Sequence, residues 1–251
     1  MVHAVKRLVL GLGAGLALGG CLAAAPPSMP APAPAPLAAN AKAAETARPR
    51  FEEAIAAFEA ADKLAMPPKC ATLFVGSSTI RFWSSLKEDF PNRQVINRGF
   101  GGSTVWEVDD YFARVVTPYH PAAIVFYAGD NDLAAGHTPD QVYGDFLKFM
   151  KLKDDALAKT PVWFIAVKPS KLRWDIEDKM TAVNNKVIAL ADRRDDLAYI
   201  DIVPVMLKPD GTPKDIFRED RLHMLPEGYA LWTPIVTKAL NEGQKAKAPG
   251  C

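Results

Sequence analysis

The feature that most constrains this chain is an alternation. Five short runs rich in β-branched and aromatic residues, at 72–75, 94–97, 123–128, 162–167 and 198–203, are separated by stretches of helical period. None of the five alternates apolar with polar residues, so each is expected to be buried on both faces, as parallel strands are. Phe51, Ile55 and Phe58 share one helical face ahead of Pro67 and Pro68. Val142, Phe146, Phe149 and Met150 share another, and Ile176, Met180, Val183, Val187 and Leu190 a third. A last helix is expected over 227–241, with Pro226 in its first turn and a kink at Pro234. Strands alternating with helices predict an α/β three-layer sandwich, a parallel sheet covered on both sides. No internal repeat is evident.

The first fifty residues read differently. Lys6 and Arg7 precede an uncharged run at 8–20, too short for a spanning helix and suited to a signal-peptide core. The run ends Leu18-Gly19-Gly20-Cys21, which resembles the bacterial lipobox, in which the cysteine becomes the lipidated first residue. Cleavage near 23–25 is the alternative. Either way the chain is expected to be exported. With Leu22 rather than Asp after Cys21, the resemblance implies a periplasm-facing lipoprotein of the outer membrane, touching the membrane only through its anchor. Residues 21–50 are rich in Ala and Pro, which favours extended geometry and reads as a spacer. The folded domain is expected over 51–251, one core for a chain of 251 residues. Lys+Arg 30 against Asp+Glu 29 gives a net charge of +1, without the basic excess of a nucleic-acid binder.

In a parallel sheet, active groups gather beyond the carboxyl ends of the strands. The residues following the five runs are Gly76-Ser77-Ser78-Thr79, then Asn97 to Ser103, then Gly129-Asp130-Asn131-Asp132, then Lys168-Pro169-Ser170, and finally Asp220-Arg221-Leu222-His223. A serine attacks an ester when a base takes its proton, and imidazole is the usual base. Of the four histidines, His3 lies in the leader, His120 precedes the third run, and His137 has no carboxylate at suitable spacing. His223 has Asp220 three residues before it, close enough to hold the ring in one tautomer. The order Ser, Asp, His recurs among serine hydrolases, but G-x-S-x-G is absent. A serine N–H at a helix start, the Gly102 N–H and the Asn131 amide are available as oxyanion donors.

These blocks resemble the SGNH (GDSL-type) hydrolase family. The name-giving residues would be Ser78, Gly102, Asn131 and His223, with Ser77 where most members have Asp. The resemblance spans 74–223 and implies a flavodoxin-like sheet of order 2-1-3-4-5. It also implies a serine esterase that forms an acyl-enzyme and needs no cofactor. Ser78, Asp220 and His223 would be catalytic, and Ser78, Gly102 and Asn131 would form the oxyanion hole. The substrate would be a small-molecule or glycan ester. A carbohydrate O-acetyl esterase is the narrower alternative, and a non-catalytic carbohydrate-binding module or a phosphate-cradling turn at Gly76 are the rivals. Oligomeric state is not legible.

Other residues read as supporting structure. Asp132 is expected to brace the loop that aims Asn131, and Trp83, Trp106 and Trp232 to be core. Trp174 is placed at the pocket rim. The pairs Asp109-Asp110 and Asp154-Asp155 are expected on solvated helix faces. Neither HExxH nor an acidic cluster marks a metal site. If Cys21 is lipidated, Cys70 and Cys251 remain as a possible disulfide in an oxidising compartment. Cys70 precedes the first strand, and the last helix must run back toward that end of the sheet.

Overall fold

The computed structural model describes residues 49–242 and 248–251. The expected leader, the Cys21 lipidation site and all but the end of the Ala/Pro spacer lie outside the described residues. The elements, in chain order, are α1 (Pro49–Leu64), β1 (Thr72–Gly76), α2 (Ser78–Arg81), α3 (Leu86–Asp89), β2 (Val95–Gly99), α4 (Val105–Asp110) and α5 (Phe112–Val115). They continue with β3 (Ala123–Tyr127), α6 (Asp130–Ala134), α7 (Pro139–Leu157), β4 (Val162–Ile165), α8 (Glu177–Ala191), β5 (Leu197–Ile200), α9 (Val203–Met206) and α10 (Pro226–Glu242). Single 3-10 turns occupy Thr117–Tyr119 and Trp174–Ile176. Among the described residues no helix is long and apolar enough to cross a membrane.

The strands form one five-stranded parallel sheet of order β2-β1-β3-β4-β5. Successive side chains point to opposite faces of a strand, and the core divides accordingly. Leu73, Val75, Ile124, Phe126, Val162 and Phe164 pack under α1, α4, α5, α7 and α8. Phe74, Val125, Tyr127, Trp163 and Ile165 pack under α2, α3, α9 and α10, around Trp83 and Trp232. The helical faces expected from sequence are the buried ones, including Val142, Phe146, Phe149 and Met150 on α7.

Several expectations about elements change. The second strand runs two residues further, so Asn97, Arg98 and Gly99 pair with Phe74, Val75 and Gly76. As an edge strand, β2 tolerates polar side chains, and Arg98 reaches Asp62 on α1 at 2.5 Å and the Tyr119 hydroxyl at 2.6 Å. β2 and β5 are half-exposed rather than buried on both faces, because each has a neighbour on one side only. The fifth strand ends at Ile200, and the Asp201 carboxylate accepts the N–H of Val203, the first residue of α9. The first helix starts at Pro49, inside the expected spacer, where proline sacrifices no helical hydrogen bond.

α10 returns from the carboxyl end of the sheet to its amino end, where the Leu240 carbonyl accepts from Arg93 at 2.8 Å and the Ala239 carbonyl from Trp163 at 3.2 Å. There Cys70 is disulfide-bonded to Cys251, across a sequence separation of 181 residues.

Candidate active site

The end of β1 forces a sharp change of direction. Gly76 has φ +135°, and a Cβ there would lie 1.8 Å from the Tyr127 carbonyl oxygen, so only glycine fits. The Ser77 N–H donates to that carbonyl, Ser77 stays extended as the cap, and Ser78 opens α2. Its neighbours lock this helix in place. Tyr229 on α10 donates its hydroxyl proton to the Thr79 carbonyl at 2.9 Å, and Asn97 donates to the Ile80 carbonyl at 2.7 Å.

The two serines differ. Ser78 Oγ lies 3.0 Å from His223 Nε2. Ser77 Oγ is buried without a hydrogen-bond partner among the described residues. Behind the ring, His223 Nδ1 lies 2.6 Å from Asp220 Oδ2. Asp220 Oδ1 accepts the Leu222 and His223 N–H groups, both at 2.9 Å, so only Oδ2 is left to face the ring. Burial opposes the Asp220 charge, but the hydrogen bonds from the His223 ring and those two N–H groups outweigh it and hold the carboxyl at about 2. Nδ1 therefore carries its proton toward an ionised carboxylate, leaving the Nε2 lone pair toward Ser78. Phe82 packs its ring edge-to-face on His223, centroids 4.9 Å apart. The Arg218 N–H donates to the His223 carbonyl at 2.7 Å, fixing the loop from the other side.

The loops after β2 and β3 are tied to the same place. The Phe100 N–H donates to the Gly76 carbonyl at 2.9 Å. Gly102 follows at φ +80°, half-exposed, with its carbonyl accepting from Arg50 at 3.2 Å. Asn131, in the first turn of α6, donates one amide proton to the Ser103 carbonyl at 2.9 Å. Its Oδ1 accepts from Arg173 Nη2 at 2.8 Å. With the amide oxygen so engaged, Asn131 has one Nδ2 proton to offer elsewhere. Arg173 is itself held 2.9 Å from Asp130 Oδ2, and buried Lys168 lies 3.6 Å from the same oxygen. Burial holds the Lys168 ammonium below the usual lysine range, partly offset by Asp130.

Asp132 accepts the Val105 N–H through Oδ1 at 2.9 Å, joining α6 to the start of α4. Burial pushes its carboxyl up to about 7 against that hydrogen bond. Trp174 is 37% exposed and directly follows Arg173. Trp83 and Trp232 are core, whereas Trp106 is half-buried. Asp109 is not solvated as expected but buried at 5% exposure, because it faces α7 rather than solvent. Asp154 does lie at the surface, paired with Arg194 at 2.7 Å. Sequence reasoning missed Arg173, which lies 42 residues beyond Asn131 in a loop with no motif of its own.

The model of the GDSL-like lipase/acylhydrolase family matches residues 75–231, well over half of the chain. The chain belongs to that family. It is therefore an ester-hydrolysing enzyme with an SGNH-type sheet. No curated protein matches its sequence. Among solved structures it resembles a GDSL-like lipase from Bacteroides thetaiotaomicron, with TM-score 0.65 and 20% identity over 75% of this chain and 97% of that one. A member of the lipolytic G-D-S-L family from Veillonella parvula gives 0.57 and 17% over 68% and 98%. A carbohydrate esterase family 3 protein from Talaromyces cellulolyticus gives 0.56 and 15% over 68% and 97%. At these identities the likeness establishes the fold.

Proposed function

We propose that the enzyme is a serine esterase that cleaves carboxylic esters through an acyl-enzyme on Ser78. The observation that carries this reading is the chain of contacts from Asp220 Oδ2 through His223 to Ser78 Oγ, at 2.6 and 3.0 Å. His223 Nε2 takes the Ser78 proton as Oγ attacks the acyl carbon, and the nearby Asp220 carboxylate stabilises the imidazolium. His223 then returns the proton to the leaving alkoxide. Water, activated by the same ring, releases the acid and regenerates Ser78. The Ser78 and Gly102 N–H groups and the free Asn131 Nδ2 proton hold the oxyanion, each donor contributing roughly 3 kcal/mol to barrier lowering.

The substrate is a small-molecule or glycan ester, and O-acetyl groups on polysaccharide are its narrower form. A panel of p-nitrophenyl esters from acetyl to palmitoyl, run beside acetylated xylan and acetylated peptidoglycan, tests both. Hydrolysis of any arm, lost in Ser78→Ala, supports the esterase, and release of acetate from glycan alone selects the narrower form. No turnover on any arm counts against it.

The basic residues Lys6 and Arg7, the apolar run at 8–20 and Cys21 support export and lipid anchoring, with residues up to Arg50 as a spacer. Intact mass of the protein from its native membrane should show a lipidated Cys21 as first residue. An unmodified N-terminus beyond Cys21 would contradict the anchor.

A further inference from the structure

A second group of titratable side chains gathers where α4, α6 and α7 meet. Asp132 lies on α6, His137 in the turn before α7, and Asp145 on α7. One ligand atom from each lies within 4.8 Å of the other two. Asp132 is fully buried, and its Oδ2 has no hydrogen-bond donor among the described residues. The buried Nδ1 of His137 is likewise unpartnered. Asp109 on α4 lies close enough to feel the Asp132 and Asp145 charges, its side chain 0% exposed and neither carboxylate oxygen hydrogen-bonded among the described residues. Lys148, more than half exposed, reaches to 3.8 Å from Asp109.

Buried carboxylates are normally paired or bound to a cation, since an uncompensated charge away from water is costly. Here the unpartnered Asp132 Oδ2 and His137 Nδ1 converge with the Asp145 carboxylate, and Lys148, which reaches Asp109, sits at the solvent edge. We propose that Asp132, His137 and Asp145 bind a divalent transition-metal ion of the zinc and manganese class. The imidazole disfavours calcium and magnesium, which take oxygen ligands, whereas mixed imidazole and carboxylate sets suit zinc and manganese. Asp145 and His137 are half-buried, which gives the ion a way in and lets both side chains draw closer to it. The ion has no part in the chemistry. It fastens the helix that carries Asn131 to α7. The ligands are spread over 132, 137 and 145, a spacing that matches no metal motif, which is why the sequence reads as metal-free.

The test is equilibrium dialysis of the chelator-stripped full chain against Zn²⁺, Mn²⁺ and Ca²⁺, with elemental analysis and thermal melts. The same measurements on His137→Ala and Asp145→Asn, both confirmed folded by circular dichroism, locate the site, and His120→Ala controls for surface histidine binding. The proposal expects one equivalent of Zn²⁺ or Mn²⁺ in wild type and in His120→Ala, with a raised melting midpoint. It expects at least tenfold weaker binding in the other two variants. No stoichiometric uptake by wild type would overturn it, independently of how any variant folds. So would uptake that His137→Ala and Asp145→Asn leave unchanged, or uptake of Ca²⁺ alone.

Discussion

Asp220→Asn isolates the role of the carboxylate behind His223. The replacement is nearly isosteric, so the loop should stay in place. Its orientation is dictated by the backbone, because the Leu222 and His223 N–H groups both donate to Oδ1 at 2.9 Å. The asparagine oxygen must therefore keep that position, and its NH₂ must occupy the position 2.6 Å from His223 Nδ1 now held by Oδ2. An NH₂ there donates to Nδ1 and forces the ring proton onto Nε2, where no lone pair remains for Ser78. Restoring the active tautomer requires the amide to flip and lose both backbone bonds, at about 1 kcal/mol each, or about 2 kcal/mol in all. That sets a floor of about thirtyfold on the loss of kcat. Loss of the imidazolium's counter-charge adds to it, and serine triads lacking the carboxylate fall by about 10⁴. Hydrolysis of p-nitrophenyl acetate should show kcat down by between these bounds with KM little changed. A loss under tenfold in a folded variant would refute the tautomer argument.

Gly76→Ala puts a methyl group into the Tyr127 carbonyl at a φ that L-residues avoid, and should cost about 3 kcal/mol or more. An unchanged urea midpoint would contradict this. Asp196 accepts from Lys153, which is 0% exposed, at 2.5 Å and from Arg194 at 2.8 Å. Burial opposes its charge, but these bonds prevail and hold the carboxyl well below the usual carboxylate range. Its stabilisation is therefore complete above the unfolded value of about 3.9 and fades as pH falls toward the folded one. Asp196→Asn should flatten the acid limb of stability against pH below about 4, and a steeper limb would reverse the sign of the argument. Reducing the Cys70–Cys251 bond, which closes a loop of 181 residues, should lower the melting midpoint, with about 5 kcal/mol as the chain-entropy ceiling. Free thiols at both positions in peptide maps of unreduced protein would contradict the bond.

The sheet was legible because its three inner strands are uninterrupted apolar runs, and buried parallel strands have little alternative composition. The edges were less so. Arg98 looks like a loop residue until α1 supplies Asp62 to pair it. The candidate blocks at Ser78, Gly102 and Asn131 could be read because each comes at the end of a strand, where topology concentrates function, whereas Asp220 and His223 lie beyond β5 and α9 and were read from their spacing. Asp109 could not, since an adjacent pair of aspartates on a helix reads as solvated until a second helix is packed against it. Arg173 was hidden for a related reason. Its value lies in reaching Asn131 across the sheet's rim, a contact that spacing along the chain does not encode.

Two serines stand side by side at the turn after β1, and only one faces the imidazole. Labelling with a fluorophosphonate probe therefore tests the account most directly, read by intact mass on wild type, Ser77→Ala and Ser78→Ala. The account predicts one adduct on wild type and on Ser77→Ala, and none on Ser78→Ala, with ester turnover following the label. An adduct that persists in Ser78→Ala, or that disappears from folded Ser77→Ala alone, would contradict it.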